Sequence, residues 1–504
     1  METKEDKDLE LKPSQPPQVG SEEVEVRPSQ PTSFAPDRVI VKLKPSTNAN
    51  EAVSLQAEVG VAGVTTAPRL GIEFWQIPPG KVEQTISAYK NDPRFEYIEP
   101  DYLITLEDVQ KPSPAQEDSA AITPLVTTPN DPLYTQLWGL NNTGQSGGKA
   151  DADIDAPEAW DIQKGNPNLV IGVIDSGVNY KHPDLVGNIW TNPGEIAENG
   201  IDDDQNGYID DTRGWDFGDN DNNPMDVQGH GTHVAGTIAA KGNNGVGVTG
   251  VAWNAKIMPL KLTPDGVQII RTSNAIKAVE YSMAKGVKLT NNSWGVPAYS
   301  QALRNAIWFA GQQEGALFIA AAGNGGSNQI GDNNDITPSY PASYNLPNII
   351  SVAATDSTDA RASFSNYGAK TVDLGAPGSG ILSTTITEAG YGLDSGTSMA
   401  APHVTGAAAL LWSQNPNLTA QQVKDKLMQT TDPIFALNGK TVSGGRLNIN
   451  NALRSLVTGN PSSITIPSSG AATPYPSTIN VSGVSGNITR VSSQLKRFIP
   501  YLSR

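Results

Sequence analysis

Five short apolar segments, 169–174 (LVIGVI), 256–262 (KIMPLKL), 286–291 (GVKLTN), 316–322 (ALFIAAA) and 348–354 (NIISVAA), recur between stretches of helical period and constrain the fold more than any other feature. Runs that are apolar on both faces suit strands covered from both sides, and intervening helices suit a parallel sheet. Helical period is clearest at Thr272 to Lys285, Gln301 to Gln313 and Ala420 to Gln429, with Thr419 and Gln422 spaced as a capping box. Residues 129–457 are therefore expected to form an α/β, doubly wound, mostly parallel sheet with its chemistry at the carboxyl ends of the strands.

The flanks differ in composition. Residues 1–36 mix charge with Pro, Ser and Gln, too polar to offset the entropy of ordering, and are expected to be a disordered leader. From Asp37 the text changes: DRVIVKLKP alternates like a strand, AVSLQAEVG is helical, FWQIPPG is a short strand, and the run from Val82 to Ile104 goes helix into strand. That predicts a small α+β domain over 37–104. Residues 105–128 return to Pro, Ser, Glu and Gln, the composition of a cleavable linker. Residues 458–504 hold brief β-like pieces and are too few to bury a core alone.

Charge and cysteine usage exclude several classes. Lys and Arg number 35 against 52 Asp and Glu, a net charge of -17, so no basic face for nucleic acid or anionic membrane is expected. There are 0 cysteines, which rules out disulfides, thiolate metal sites and a cysteine nucleophile. No apolar run is long enough to span a bilayer, and a monomer is expected. The N-terminal METKEDKDLELKPSQPP lacks the apolar core of a secretory signal.

Amide hydrolysis needs a nucleophile, a base, a group that orients the base, and donors for the oxyanion. VIGVIDSGV delivers Asp175 at the end of a strand, where a carboxylate fixes an imidazole's tautomer. GHGTHVAGT sets His230 among glycines at a helix start, and GTSMAAPHVTGAAALL sets Ser398 at another, with Pro402 expected in a first turn. ALFIAAAGN ends at Asn324, whose amide is a second oxyanion donor beside the Ser398 N–H. A metal hydrolase built on His230 and His233 is the chemical rival, but there is no HExxH and only 4 histidines in all, including His182 and His403.

IDSGV, HGTHVAGT, AAAGN and GTSMAAPHV, in that order, resemble the active-site segments of subtilisin-like serine peptidases, and the NDP start and the insertion before His230 look thermitase-like. The resemblance covers about Asn130 to Leu453. It implies a serine endopeptidase that cleaves protein or peptide substrates through an acyl-enzyme, with His230 and not His233 as the base. It also implies that Ser293, Trp294 and Gly295 of NNSWG form one wall of the substrate cleft by strand addition. The opposite wall, in TPDGVQIIRTS, lacks the family's glycines, and Trp294 stands where smaller residues are common. Residues 37–104 resemble inhibitor-type propeptides, which implies a zymogen held by its own propeptide and cut somewhere in the linker. The tail resembles the opening of a β-sandwich accessory domain. The family is usually exported, so the compartment stays open.

Calcium is expected as a structural ion. Asp202, Asp204, Asn206, the Tyr208 carbonyl and Asp210 follow D-x-D-x-N-G-x-x-D spacing, although Arg213 stands where an EF-hand has Glu, and an Asx-rich turn is the plainer reading. The resemblance adds Asp216, Asp219 and Asp221, and a strong site at Asp131, Asp184 and Asn244. That last site is expected to assemble only after propeptide cleavage. Asp332 and Asp335 suggest either a pocket for a basic side chain or a solvated loop. The alternative to an enzyme is a catalytically silent, calcium-stabilised binding protein.

Overall fold

The computed structural model describes residues 33–106 and 127–457, apart from Gln268 and Glu388. Most of the expected leader and linker, and all of the tail from 458, lie outside the described residues.

The N-terminal unit is β1 (Phe34–Leu43), α1 (Ala49–Val59), β2 (Gly63–Ala67), β3 (Ile72–Gln76), α2 (Val82–Tyr89) and β4 (Phe95–Thr105). Its first strand begins at Phe34, just before the expected boundary, because Phe34 pairs with Tyr102 across a bulge. Asn48 and Glu51 close a reciprocal capping box at the start of α1. Alternation in β1 and β3 puts Val39, Val41, Trp75 and Ile77 into a small core with Leu55, Val82 and Phe95.

The larger unit follows with α3 (Ala156–Trp160), β5 (Val170–Asp175), β6 (Trp215–Asp216), α4 (His230–Ala239), β7 (Lys256–Lys261), β8 (Ile269–Arg271), α5 (Thr272–Ala284), β9 (Leu289–Asn292), α6 (Gln301–Gln313), β10 (Leu317–Ala321), β11 (Ile349–Thr355), β12 (Leu374–Pro377), the hairpin β13 (Ile381–Thr384) and β14 (Tyr391–Asp394), α7 (Thr397–Gln414), α8 (Ala420–Gln429), β15 (Asp432–Pro433) and β16 (Gly445–Arg446). Nine strands form one sheet in the order β15-β16-β12-β11-β10-β9-β5-β7-β6. All its pairings are parallel except β15 with β16. Every residue of β10 and β11 is buried, as expected of strands covered on both faces. The chain runs from β5 to the sheet edge at β6, comes back to β7 beside β5, and then crosses to β9 on the other side. Asp175 therefore ends the strand at which the winding reverses, where an open α/β sheet leaves a crevice.

The two units share an edge. β4 continues past the small domain and pairs antiparallel with β8, Leu103 opposite Arg271 and Ile104 opposite Ile270, so the small sheet gains a fifth strand from the larger unit. Glu99 and Asp101 alternate along β4 and cap two helices of the larger unit. Asp101, fully buried, accepts Ser273 N (2.9 Å) and Ser273 Oγ (2.6 Å) in the first turn of α5. Glu99 accepts Ser300 Oγ (2.6 Å), Gln301 N (2.9 Å) and Ala302 N (3.2 Å) at the start of α6. Loss of water around its carboxyl outweighs these donors and pushes Glu99 up to about 7.

Asp101→Ala removes one cap at the cost of about 1–2 kcal/mol. Hydrogen exchange in β4 and in the first turn of α5 is expected to accelerate; unchanged protection in both would show that this carboxylate does not hold the units together.

Candidate active site

Asp175 is fully buried at the end of β5, and its Oδ1 accepts its neighbour Ser176 N and His230 Nδ1, each at 2.7 Å. The ring stands at the first position of α4, behind Gly229, whose φ of 108° favours glycine. Gly231 is needed for the contact itself: a Cβ there would lie 2.1 Å from Gly177 O and 3.0 Å from Asp175 Cβ. The other ring nitrogen, His230 Nε2, is buried and has no hydrogen-bond partner among the described residues. Burial works against the imidazolium, but the charge of Asp175 and the hydrogen bond to it, with Asp394 and Asp226 adding to them, push His230 up to about 9.

Ser398 is the second residue of α7, which packs against α4. Its hydroxyl donates to Ser293 O at 3.2 Å, so engaging His230 Nε2 requires it to turn away from that carbonyl. Pro402 lies a turn deeper in α7 than the sequence suggests. The N–H it lacks would have bonded Ser398 O, and Ser293 Oγ fills that place at 2.8 Å. Asn324, just past β10, has its Oδ1 fixed by Thr397 N (2.8 Å) and Thr397 Oγ1 (3.0 Å), which fixes the direction of its amide nitrogen. A point at the Cβ position of Gly396 is 3.3 Å from Asn324 Nδ2 and 3.5 Å from Ser398 N, so the two nitrogens converge at the start of α7.

The remaining histidines serve packing. His233 Nε2 reaches Ile381 O (2.9 Å) and Gly392 O (3.1 Å), and burial pushes the ring down to about 4, neutral at ordinary pH. This ties α4 to the hairpin that leads into Ser398. His182 Nε2 lies 3.0 Å from Gly390 O, and His403 Nδ1 lies 2.9 Å from Met399 O. The rival metal pair of His230 and His233 gains no support: Asp175 holds His230 Nδ1, two carbonyl oxygens hold His233 Nε2, and among the described residues neither ring belongs to a group of three or more metal-ligating side chains.

Ser293, Trp294 and Gly295 follow β9. The Trp294 indole turns inward, fully buried, its Nε1 donating to Ile174 O at 3.0 Å. Within the glycine-poor TPDGVQIIRTS segment the structure places β8, which pairs with Leu103 to Thr105 of the N-terminal unit. Asp335 caps a turn, accepting Thr371 N (3.1 Å) and Thr371 Oγ1 (2.8 Å), which favours the loop reading over a pocket for a basic side chain.

The acidic clusters regroup. Asp131, 4% exposed, accepts Asn243 N (2.7 Å) and Asn244 N (3.0 Å); fully buried Asp184 accepts Asn244 Nδ2 (2.9 Å), Val248 N (2.9 Å) and Tyr391 Oη (2.9 Å). These residues meet while 34–105 are still attached, contrary to the expectation of assembly after cleavage. Asp202 and Asp204 meet Glu195, which the sequence pattern missed. Asp210 instead accepts Asn199 N (3.0 Å) and Gly200 N (2.9 Å), and Asn206 Oδ1 accepts the Tyr208 N–H at 2.7 Å, so these positions do not converge as an EF-hand loop. Lys285 Nζ sits 2.5 Å from Asp204. Asp216 and Asp219 gather Asp265 and not Asp221, whose Oδ1 accepts Asn223 N at 2.9 Å. Buried Lys261 supplies the cation there, 2.7 Å from Asp216 and also paired with Asp265.

A carboxylate-held imidazole, a hydroxyl at a helix start and two converging amide donors, at the switch point of a doubly wound sheet, define a serine hydrolase of the subtilisin-like class. The subtilase family model (Peptidase_S8) matches residues 166–459, and the fervidolysin N-terminal prodomain model matches residues 21–101. The thermophilic serine proteinase of Bacillus sp. (strain AK1) is 36% identical over 422 residues, 83% of this chain and 88% of that protein. Thermitase of Thermoactinomyces vulgaris is 36% identical over 328 residues, 65% of this chain and 99% of that protein. The crystal structure of fervidolysin from Fervidobacterium pennivorans, described as a keratinolytic enzyme related to subtilisin, aligns with a TM-score of 0.65 at 25% identity over 84% of this chain and 61% of that one. The chain belongs to the subtilase family, as a thermitase-like serine endopeptidase with an N-terminal prodomain.

An imidazole accepts a proton only when neutral, so its raised value sets the direction of the pH response. kcat/KM on a peptide substrate is expected to climb from neutral into alkaline pH and to be lost as pH falls; a profile flat between pH values of about 6 and 9 would contradict the assignment of His230.

Proposed function

We propose that Ser398 is the nucleophile, His230 the general base and acid, Asp175 its orienting anion, and Asn324 with the Ser398 N–H the oxyanion donors. The observation that carries this reading is the 2.7 Å bond from His230 Nδ1 to buried Asp175, which commits the ring's proton to one nitrogen and leaves Nε2 to act as base. Ser398 Oγ attacks the scissile carbonyl as His230 takes its proton. The ring then returns the proton to the leaving amine, and water repeats the sequence on the acyl-enzyme. An extended substrate adds as a strand between β8 and the 293–295 segment, the place that β4 now occupies on the β8 side. The prodomain is therefore read as an inhibitor that blocks the cleft with its own strand, and the protein as a zymogen cut by its own site within 105–128.

Ser398→Ala is expected to remain full length and unlabelled by a fluorophosphonate, whereas the wild type gains one label at Ser398 and appears by intact mass as fragments cut within 105–128. A wild type that stays intact and unlabelled would return the protein to the class of silent binding relatives.

Calcium fits best at Asp131, Asp184 and Asn244. Two buried carboxylates stand there with only neutral donors, and among the described residues neither forms an ion pair. Burial raises Asp184 despite those donors, so a cation would relieve the cost. Hard oxygen ligands suit calcium, whose part would be structural. At Asp216 and Asp265, Lys261 already supplies positive charge. Chelation is expected to lower the thermal midpoint by about 5–10 °C, an effect absent in Asp184→Asn and retained in Asp219→Asn; equal midpoints with calcium and chelator would remove the ion from the account.

A further inference from the structure

Asp226 ends the acidic stretch that precedes His230, and its side chain belongs to neither of the acidic clusters found there. It is 4% exposed and accepts five hydrogen bonds. Oδ1 takes Gln228 N (2.9 Å), Gly229 N (2.9 Å) and Ser176 Oγ (3.0 Å); Oδ2 takes Thr232 N (2.9 Å) and Thr232 Oγ1 (2.6 Å). Three of the five donors are backbone N–H groups, two on Oδ1 and one on Oδ2, so an amide nitrogen suits neither position; burial raises the carboxyl and these donors oppose that rise.

The partners lie on both segments that carry the acid and the base. Ser176 follows Asp175, and its Oγ in turn accepts Gly231 N at 2.9 Å. Thr232, in the first turn of α4, accepts Asn179 N on its hydroxyl at 2.9 Å. Val178 N also bonds Pro224 O (3.1 Å), just upstream of Asp226. The turn after β5 and the first turn of α4 thus close on one carboxylate, which caps the helix from outside its N-cap glycine.

Resting on the triad reading above, we propose that Asp226 is a positioning residue for peptide hydrolysis. It holds the β5 turn against the start of α4 in the register that sets His230 Nδ1 on Asp175, and its fixed negative charge favours the imidazolium formed when Ser398 gives up its proton. Two other carboxylates act on the same ring, Asp175 from β5 and Asp394 from β14, while neutral His233 stands one turn along α4. Asp175 makes the direct bond, so the part left to Asp226 is geometry plus a smaller, longer-range charge.

The test is steady-state kinetics against pH on Asp226→Asn and Ser176→Ala, with concentrations set by fluorophosphonate titration. Wild-type labelling at Ser398 checks the triad reading separately, because its absence would sink that reading whatever the variants do. Asp226→Asn is expected to lose roughly 10- to 100-fold in kcat with KM changed by less than about threefold. Its acid limb is expected to move down by about half to one pH unit, since removing a nearby negative charge makes the imidazolium easier to deprotonate. Ser176→Ala keeps the charge and is expected to lose kcat with its acid limb unmoved. An Asp226→Asn enzyme with wild-type kcat, or with a lowered kcat and an unmoved limb, overturns the proposal. Should that variant yield no folded protein, Ser176→Ala decides alone: a lowered kcat at constant limb supports the link between the two segments, and an unchanged kcat rejects it.

Discussion

The short bond between buried Asp175 and His230 is the contact around which the larger unit is arranged. It joins a strand end to a helix start that lies 55 residues further along the chain, and it survives only because each partner arrives on a rigid element. β5 is held between β7 and β9, so Asp175 cannot slip in register without breaking both ladders. α4 is pressed so tightly on the β5 turn that no side chain fits at position 231. A buried carboxylate with one such partner is expensive to leave unpaired, which makes the ring's orientation a matter of stability as well as chemistry.

The same economy of charge runs through an acidic protein. Carboxylates that the sequence scatters as surplus are largely spent on backbone donors: Asp101 and Glu99 at two helix starts, Asp226 on the loop before His230, Asp335 on a turn. Where donors do not suffice, a lysine completes the site, as Lys261 does beside Asp216. The caps from β4 have a further consequence. They are lent to α5 and α6 by the N-terminal unit, so the proposed maturation would leave the start of α5 to water and the start of α6 to its own Ser300, whose Oγ accepts Leu303 N at 3.1 Å. Docking by Glu99 is favoured by its protonated form, because its value is raised in the docked state; that contribution fades as pH rises from the ordinary glutamate range through about 7.

Much of this was legible in the sequence. The five apolar runs became β5, β7, β9, β10 and β11, and α6 spans the residues its period marked, because packing and local pattern agree there. Asp175, His230, Ser398 and Asn324 carried local signatures that place each at an element's end. What stayed hidden depends on partners far along the chain. Asp101 and Ser273 are 172 residues apart, and nothing around either names the other. The β13–β14 hairpin is short and half-polar, without the alternation that marks longer strands. Two clusters were expected along the acidic stretch before His230, but the fold brings Glu195 and Asp265 into them from outside the pattern and spends Asp210 on a turn and Asp226 on the support of His230. Composition announces an abundance of oxygen ligands; only topology decides which of them meet.

The ring proton on which the account turns is directly observable. In a proton NMR spectrum taken across a pH titration, the bond to Asp175 should give one strongly deshielded imidazole resonance that responds to titration of the ring and vanishes in both His230→Ala and Asp175→Ala. A wild-type spectrum without such a resonance at any pH, or one that persists in either variant, would contradict the pairing from which the rest of the mechanism is built.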